Sequence, residues 1–247
     1  MIFIKTFFDM IKYLREIIFE VKYAKNIFSI LVNPFHIHRY LLNKSLNQIA
    51  SELNKDEIIL DIGCGEMPYK NNFRSVKYIG LDILVSGRAQ TRKKPSVWFD
   101  GRIIPFSNDS CSIVLMTEVI EHIHNPKELF TNINRVLSPN GKLIFTVPYF
   151  WPIHEPPYDF YRYTQYGLKN LLESNSFRVM RISCLSNKWS SFLQTLNTFI
   201  YYSSGKYLFI FFIPIFFLIN LLASVTFFYE SKNNPFTLGY ICEAKKC

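Results

Sequence analysis

Hydrophobic positions follow three different rhythms along this chain. From residue 2 to about 32, apolar side chains recur at helical spacing (Ile4, Phe7, Ile11, Leu14, Ile18, Val21, Phe28, Leu31), while Lys5, Lys12, Arg15, Lys22 and Lys25 fill much of the remainder. That spacing predicts an amphipathic helix, packed on the domain or laid in a membrane interface. Asn33-Pro34 ends it, and a second helix is expected over roughly His36–Leu53. Short apolar runs then alternate with helical patterns. Strands are expected over Glu57–Ile62, Val76–Leu81, Val97–Phe99, Ser112–Met116, Leu143–Val147 and Phe177–Ser183. Before the fifth strand, Asn125 reads as an N-cap, Pro126 as the first helical residue and Glu128 as the partner in a capping box. That helix ends at Ser138-Pro139-Asn140-Gly141. Strand–helix alternation predicts an α/β fold, a mostly parallel sheet covered on both faces, which binds ligands beyond the carboxyl ends of its strands.

The third rhythm has no polar face. No charge occurs from Trp189 to Gly205 or from Tyr207 to Tyr229. As a helix the second stretch would run roughly 35 Å, enough for a bilayer core. The first arm carries Ser190, Ser191, Gln194, Thr195, Asn197 and Thr198, too polar for a ready span, and Pro214 and Asn220 interrupt the second. Thr237–Ala244 again reads as a strand. If it pairs beside Phe177–Ser183, both ends of the hydrophobic segment lie on one side of any membrane, and a hairpin or interfacial insertion follows. An ordinary transmembrane helix would make that strand assignment wrong. The expected organisation is therefore amphipathic and lid helices over 1–54, a core over 55–187, a membrane-interacting insertion over 188–233, and a final strand and tail over 234–247.

The 247 residues suffice for one elaborated α/β domain or two small ones. At 49% hydrophobic and 19% charged, with 24 Phe and 15 Tyr, the chain is neither disordered nor fibrous, and it is greasier than an ordinary soluble enzyme. A net charge of +9 suits an anionic membrane surface. The basic run Arg88, Arg92, Lys93, Lys94 lacks interleaved aromatics, so no nucleic-acid partner is expected. Five scattered cysteines, without Cys-x-x-Cys or a histidine at ligand spacing, predict neither disulfide nor metal, and a reducing compartment. Charges interrupt every apolar run near residue 1, so no secretory signal is read and a cytoplasmic location at the inner membrane face is expected.

Candidate chemistry concentrates in Ile58-Ile-Leu-Asp-Ile-Gly-Cys-Gly-Glu-Met-Pro-Tyr69. A strand delivers Asp61 to a turn in which Gly63 and Gly65 let a ligand approach the backbone. A dinucleotide site would place a third glycine where Pro68 stands, and a carboxylate before the glycines suits a cationic or amino-bearing ligand better than a diphosphate. Asp82 closes the strand Tyr78-Ile-Gly-Leu-Asp82, where a carboxylate can accept from both hydroxyls of a ribose.

These residues closely resemble the class I S-adenosylmethionine-dependent methyltransferases, over roughly 55–185 plus the last strand. The matching motifs are Asp61-x-Gly63-x-Gly65, Gly80-Leu-Asp82, Asp100 followed by Ile104-Pro-Phe106, Glu118-Val-Ile-Glu-His122, and Leu137-Ser-Pro-Asn-Gly141. The resemblance implies a seven-stranded Rossmann-like sheet and S-adenosyl-L-methionine as cofactor. Asp61, Gly63 and Gly65 would hold its methionine part and Asp82 its ribose. Asp100 and Gly101 would meet the adenine edge, with Thr117 and Glu118 bordering the methionyl portion. Ile104 and Phe106 are read as core, and His122 as a packing residue.

After the fifth strand, Pro148–Thr164 resembles a methyltransferase subgroup, often found with cell-surface polysaccharide genes, bearing His-x-x-Pro-x-Asp-x-x-Arg-x-Thr. His154, Pro157, Asp159, Arg162 and Thr164 match it. His154 is the candidate general base, Asp159 its orienting partner, and Arg162 a grip for an anionic acceptor or else the other half of an ion pair with Asp159. Thr164 reads as the N-cap of a helix over Gln165–Glu173. The expected function is membrane-associated O-methylation of a lipid-linked saccharide or other amphipathic acceptor. The alternatives are a soluble small-molecule methyltransferase with a self-buried or dimerising insertion, and a non-catalytic membrane-associated binding protein of the same fold.

Overall fold

The computed structural model describes residues 27–54, 56–74, 76–83, 95–228 and 234–247; of the helix expected from residue 2 to about 32, the part before residue 27 lies outside them, as does the basic run at 88–94. The chain divides into two compact units, Ser45–Leu185 with Leu238–Cys247, and Met1–Lys44 with Ser186–Thr237.

The first unit is built on a seven-stranded sheet. In chain order it comprises β1 (Ile58–Ile62), β2 (Lys77–Ile83), β3 (Val97–Phe99), β4 (Cys111–Thr117), β5 (Leu137–Pro148), β6 (Phe177–Cys184) and β7 (Gly239–Lys246), in the spatial order β3-β2-β1-β4-β5-β7-β6. The pairings from β3 across to β5 are parallel, and β7 runs antiparallel to both β5 and β6. The near-continuous apolar runs of β1, β4 and β5 are those of strands buried on both faces, with Leu60, Val114, Met116, Phe145 and Val147 inaccessible. Phe130 packs edge-on to Phe145 and Phe177, joining the helix Pro126–Val136 to the sheet.

Two local expectations change. The turn Ser138–Gly141 lies inside β5 rather than before it: Leu137 pairs with Cys111, the register shifts, and pairing resumes at Lys142 with Ile113. Asn125 is the residue before that helix, but its side chain makes no capping hydrogen bond, because its backbone (φ −118°, ψ 79°) stands outside the extended conformation of a cap. Thr164 does cap, accepting from Gly167 N at 3.1 Å ahead of Gln165–Glu173.

The second unit is helical. It holds α1 (Ile27–Val32), the start of α2 (His36–Ser51), α5 (Lys188–Leu208) and α6 (Ile213–Thr226), where α3 and α4 are the two helices of the sheet unit just described. Gly205 (φ 68°, ψ 178°) breaks α5 near its end, a 3-10 turn Phe209–Phe212 follows, and Pro214 sits harmlessly in the first turn of α6. This unit buries apolar side chains such as Phe209, Phe216, Ile219 and Ala223, but it also buries polar ones and exposes large apolar ones. Ser190, Gln194, Asn197, Thr198 and Asn220 are buried, whereas Phe199, Phe211, Leu218, Leu222 and Val225 are each 59–68% exposed. The buried polar groups bond one another and the backbone. Gln194 donates to Pro34 O at 2.8 Å and accepts from His38 N at 3.0 Å. Asn197 donates to Asn220 Oδ1 at 2.9 Å, and Asn220 donates to the carbonyls of Ile30 and Asn33. Asn220 therefore does not interrupt its helix; it ties it to the turn before α2.

β7 also settles a topological question. Phe209–Thr226 is long and apolar enough to cross a membrane. Yet Leu185 N donates to Gly239 O at 2.9 Å, and β6 and β7 are neighbours in one sheet, so a single crossing between them is incompatible with the fold.

Candidate active site

At the carboxyl end of β1, the chain turns through Gly63 (φ +69°) and Gly65 (φ +51°). A Cβ at Gly63 would stand 2.6 Å from Val119 Cγ2, so that position requires glycine on both counts; at Gly65 the same direction is open space. Asp82, at the end of neighbouring β2, accepts from Gly65 N at 2.6 Å through Oδ2 and from Ile83 N at 2.7 Å through Oδ1. The parallel register that places Asp61 beside Gly80 brings these two strand ends together. Asp61 is buried; Tyr78 Oη donates to its Oδ2, and Oδ1 has no hydrogen-bond partner among the described residues. Burial, with Asp82 adding to it and the Tyr78 hydrogen bond opposing it, raises the Asp61 carboxyl to about 7.

Asp100 caps the turn after β3, accepting from Arg102 N at 2.9 Å and Ile103 N at 3.3 Å, which lower its carboxyl pKa. Gly101 beside it takes φ +81°. Ile104 is buried core, and Phe106 packs against the same core. Thr117 ends β4, and Glu118 follows in a left-handed conformation (φ 55°) unusual for its type. Thr146, on β5, holds it there: Glu118 N donates to Thr146 O at 3.2 Å, and Thr146 Oγ1 donates to Glu118 Oε1 at 3.0 Å.

The loop after β5 supplies the other wall. Arg162 grips Asp159 through both carboxylate oxygens, at 2.6 and 2.7 Å, and also donates to the carbonyls of Tyr161 and Pro152. Of the two roles left open for Arg162, the geometry builds the ion pair, and it leaves no fork for an acceptor. Although burial works to raise it, Arg162 and the His154 N–H hold the Asp159 carboxyl down at about 2. His154 Nδ1 lies 3.2 Å from Asp159 Oδ2, and burial lowers the imidazole pKa against the pull of that carboxylate.

Behind His154 stands a residue to which the sequence reading assigns no role. Glu121, in the 3-10 turn Ile120–His122, is fully buried, and neither carboxylate oxygen has a hydrogen-bond partner among the described residues. Burial and then Glu118 push its carboxyl well above the usual range. His122 Nε2 and His154 Nε2 lie 3.6 and 3.9 Å from Glu121 Oε1. Tyr78 and Thr146, the partners of Asp61 and Glu118, are likewise invisible as site residues in the sequence. Only the adjacency of Glu121 and His122 in an apolar run carried a signal.

A model of the methyltransferase-domain family matches residues 35–193. Similar proteins include the tRNA (carboxymethyluridine(34)-5-O)-methyltransferase of Schizosaccharomyces pombe, 26% identical over 136 residues, covering 53% of this chain and 60% of that one. Another is the malonyl-[acyl-carrier protein] O-methyltransferase of Legionella pneumophila, 29% identical over 99 residues, covering 36% and 35%. The chain spans between 35% and 60% of the length of the curated relatives it matches. Among solved structures, phosphoethanolamine N-methyltransferase 2 of Haemonchus contortus, in complex with S-adenosyl-L-methionine, superposes with a TM-score of 0.53 at 16% identity, over 83% of this chain and 52% of that one. At that identity the likeness is one of fold. The residues fit S-adenosyl-L-methionine: the unpartnered Asp61 Oδ1 suits an ammonium, Gly65 leaves its cradle open, and Asp82 offers acceptor lone pairs at a strand end. Motif and sheet order thus converge, and the chain belongs to the methyltransferase-domain family, with the class I fold.

Proposed function

We propose that the protein methylates an oxygen of an amphipathic acceptor at the cytoplasmic face of a membrane, with a lipid-linked saccharide as the acceptor class. Methyl transfer is carried by one observation, the Asp82 carboxylate fixed by Gly65 N–H and Ile83 N–H beside the open Gly65 turn. S-adenosyl-L-methionine, when bound, would supply an electrophilic sulfonium methyl; the carbon–sulfur electron pair would stay on sulfur as the acceptor oxygen bonds to that carbon and its proton passes to His154 Nε2. The protein's part is positioning. Asp61 and Asp82 would orient the donor from the β1 and β2 ends. Asp159, locked by Arg162, sets the His154 ring so that Nε2 faces inward, where an acceptor oxygen would be activated. Both curated relatives described above are named for O-methylation, which supports oxygen as the attacking atom.

The membrane part of the reading rests on the helical unit, with amides and hydroxyls inside and Phe199, Phe211, Leu218, Leu222 and Val225 outside. Large apolar side chains exposed in this number on one helical unit suit lipid. The saccharide part rests on the His154–Thr164 motif resemblance alone. The test is flotation of detergent-depleted protein with anionic phospholipid vesicles, followed by transfer of labelled methyl to lipid and aqueous extracts. Co-flotation with label in the lipid-linked fraction is expected. A dimer that stays with the aqueous phase and labels only water-soluble compounds would overturn the membrane reading.

A further inference from the structure

We propose that Glu121, His122 and His154 bind one divalent transition-metal ion of the zinc class, held where it activates the acceptor oxygen. For its role the proposal rests on the methyl-transfer reading; for the site it rests on side-chain geometry.

The three ligand atoms, Glu121 Oε1 and the Nε2 atoms of both histidines, lie within 4.8 Å of one another. At 3.6 and 3.9 Å the contacts to Oε1 are too long for hydrogen bonds, so the rings do not satisfy the carboxylate themselves. Ligands about 2.0–2.2 Å from a tetrahedral zinc stand about 3.4 Å apart, so an inward shift of about 0.5 Å by each group closes the site. Glu121 is fully buried, and neither oxygen has a hydrogen-bond partner among the described residues. A carboxylate in that state calls for a counter-charge or a proton.

The far side of each ring points to the cation. His122 Nδ1 lies 2.6 Å from Tyr158 O, and His154 Nδ1 lies 3.2 Å from Asp159 Oδ2 and 3.3 Å from Pro152 O. Arg162 Nη2, 3.4 Å from the same Nδ1, is already committed to Asp159. Acceptors at both Nδ1 atoms place the ring protons there and leave two Nε2 lone pairs converging on Glu121. That backing by carbonyl and carboxylate is the outer-shell arrangement of histidine ligands. Two imidazoles and one carboxylate select zinc-like ions over magnesium or calcium, which prefer oxygen sets. Three protein ligands leave a position open, and the side chains of His122 and His154, 18% and 22% exposed, give an ion access.

An acceptor hydroxyl at the open position would release its proton to solvent, and its oxygen would then form the bond to carbon as the carbon–sulfur bond breaks. His154 Nε2 is then a ligand, in place of the general base expected from the sequence.

The test uses the full chain in mild detergent, stripped with chelator and titrated calorimetrically with Zn2+ and spectroscopically with Co2+. One site per chain is expected, with Co2+ giving the visible absorption of a low-coordinate complex. Glu121→Gln and His154→Ala should each weaken Zn2+ binding by roughly 100-fold or more, and Asp159→Asn by roughly 10–100-fold. Cys247→Ser should leave binding unchanged. If Glu121→Gln does not fold, the more accessible His154 carries the test. Absence of a site, or full affinity in His154→Ala, overturns the proposal. The same samples are titrated with S-adenosyl-L-methionine. Cofactor binding without metal binding removes only the ion, while metal binding without cofactor binding removes the methyl-transfer reading and leaves the site.

Discussion

Cofactor binding should expel a proton from Asp61. Its carboxyl, raised to about 7 chiefly by burial, is about three-quarters protonated at pH 6.5 and only a few hundredths protonated at pH 8.5. The proton belongs on Oδ1, the oxygen without a partner among the described residues, since Tyr78 donates to the other. An ammonium group arriving within a few ångströms favours the ionised form and should lower the pKa by about 1–3 units. The proton must then leave, so affinity should rise with pH from 6 to 8. Titration with S-adenosyl-L-methionine in buffers of different ionisation enthalpy measures the release directly. The apparent enthalpy should vary with a slope of about 0.7 proton at pH 6.5 and nearly none at pH 8.5. Asp61→Asn should remove the slope and weaken binding by roughly tenfold or more, the worth of one charge-assisted hydrogen bond. A flat response at pH 6.5, or an unchanged slope in Asp61→Asn, would refute the reasoning.

Other perturbations test separate parts of the structure. Asp82→Ala should stay folded while losing roughly 100-fold in cofactor affinity by calorimetry, since it removes the acceptor of Gly65 N–H and Ile83 N–H. Gly63→Ala forces a side chain to φ +69° and against Val119, and should cost about 2–3 kcal/mol in denaturant unfolding. Adding Val119→Ala should recover the contact part and leave the backbone part. His36 is buried, shares a 2.7 Å hydrogen bond with Ser29, and has its imidazole lowered by burial from 6.5 to about 4. The unfolded chain therefore binds the extra proton, so about 3 kcal/mol present above pH 6.5 is lost as pH falls through 4. His36→Gln should flatten that stretch of the stability–pH curve; an unchanged slope would show that another group governs it.

The sheet was legible because strands buried on both faces write themselves as apolar runs, and Asp61, Gly63, Gly65 and Asp82 could be placed because each lies at or just beyond the carboxyl end of a strand. The start of β5 was not, since Leu137 pairs across a bulge that looks like a plain Ser-Pro-Asn-Gly turn. The hydrophobic segment stood out, but the burial of its polar side chains did not. Asn220 reads as an interruption until the carbonyls of Ile30 and Asn33, far away in sequence, appear beside it. Glu121 was missed for a related reason. A carboxylate in an apolar run looks like a motif letter, and only the folded loop after β5 reveals that two imidazoles face it.

The strand order also sets a schedule for folding. Among the described residues β6 pairs only with β7 within the sheet, and β7 meets β5 across about a hundred residues of intervening chain. Until the segment between Leu185 and Gly239 is in place, β5 presents an open edge and β6 has no partner on either side, the kind of surface that captures other chains. Arg178 and Arg181 interrupt the apolar residues of β6 during that interval, and charges so placed discourage premature pairing. Once β7 docks, Arg181 takes a second task, donating through Nε to Glu243 at 2.6 Å and helping to secure the strand whose arrival it waited for.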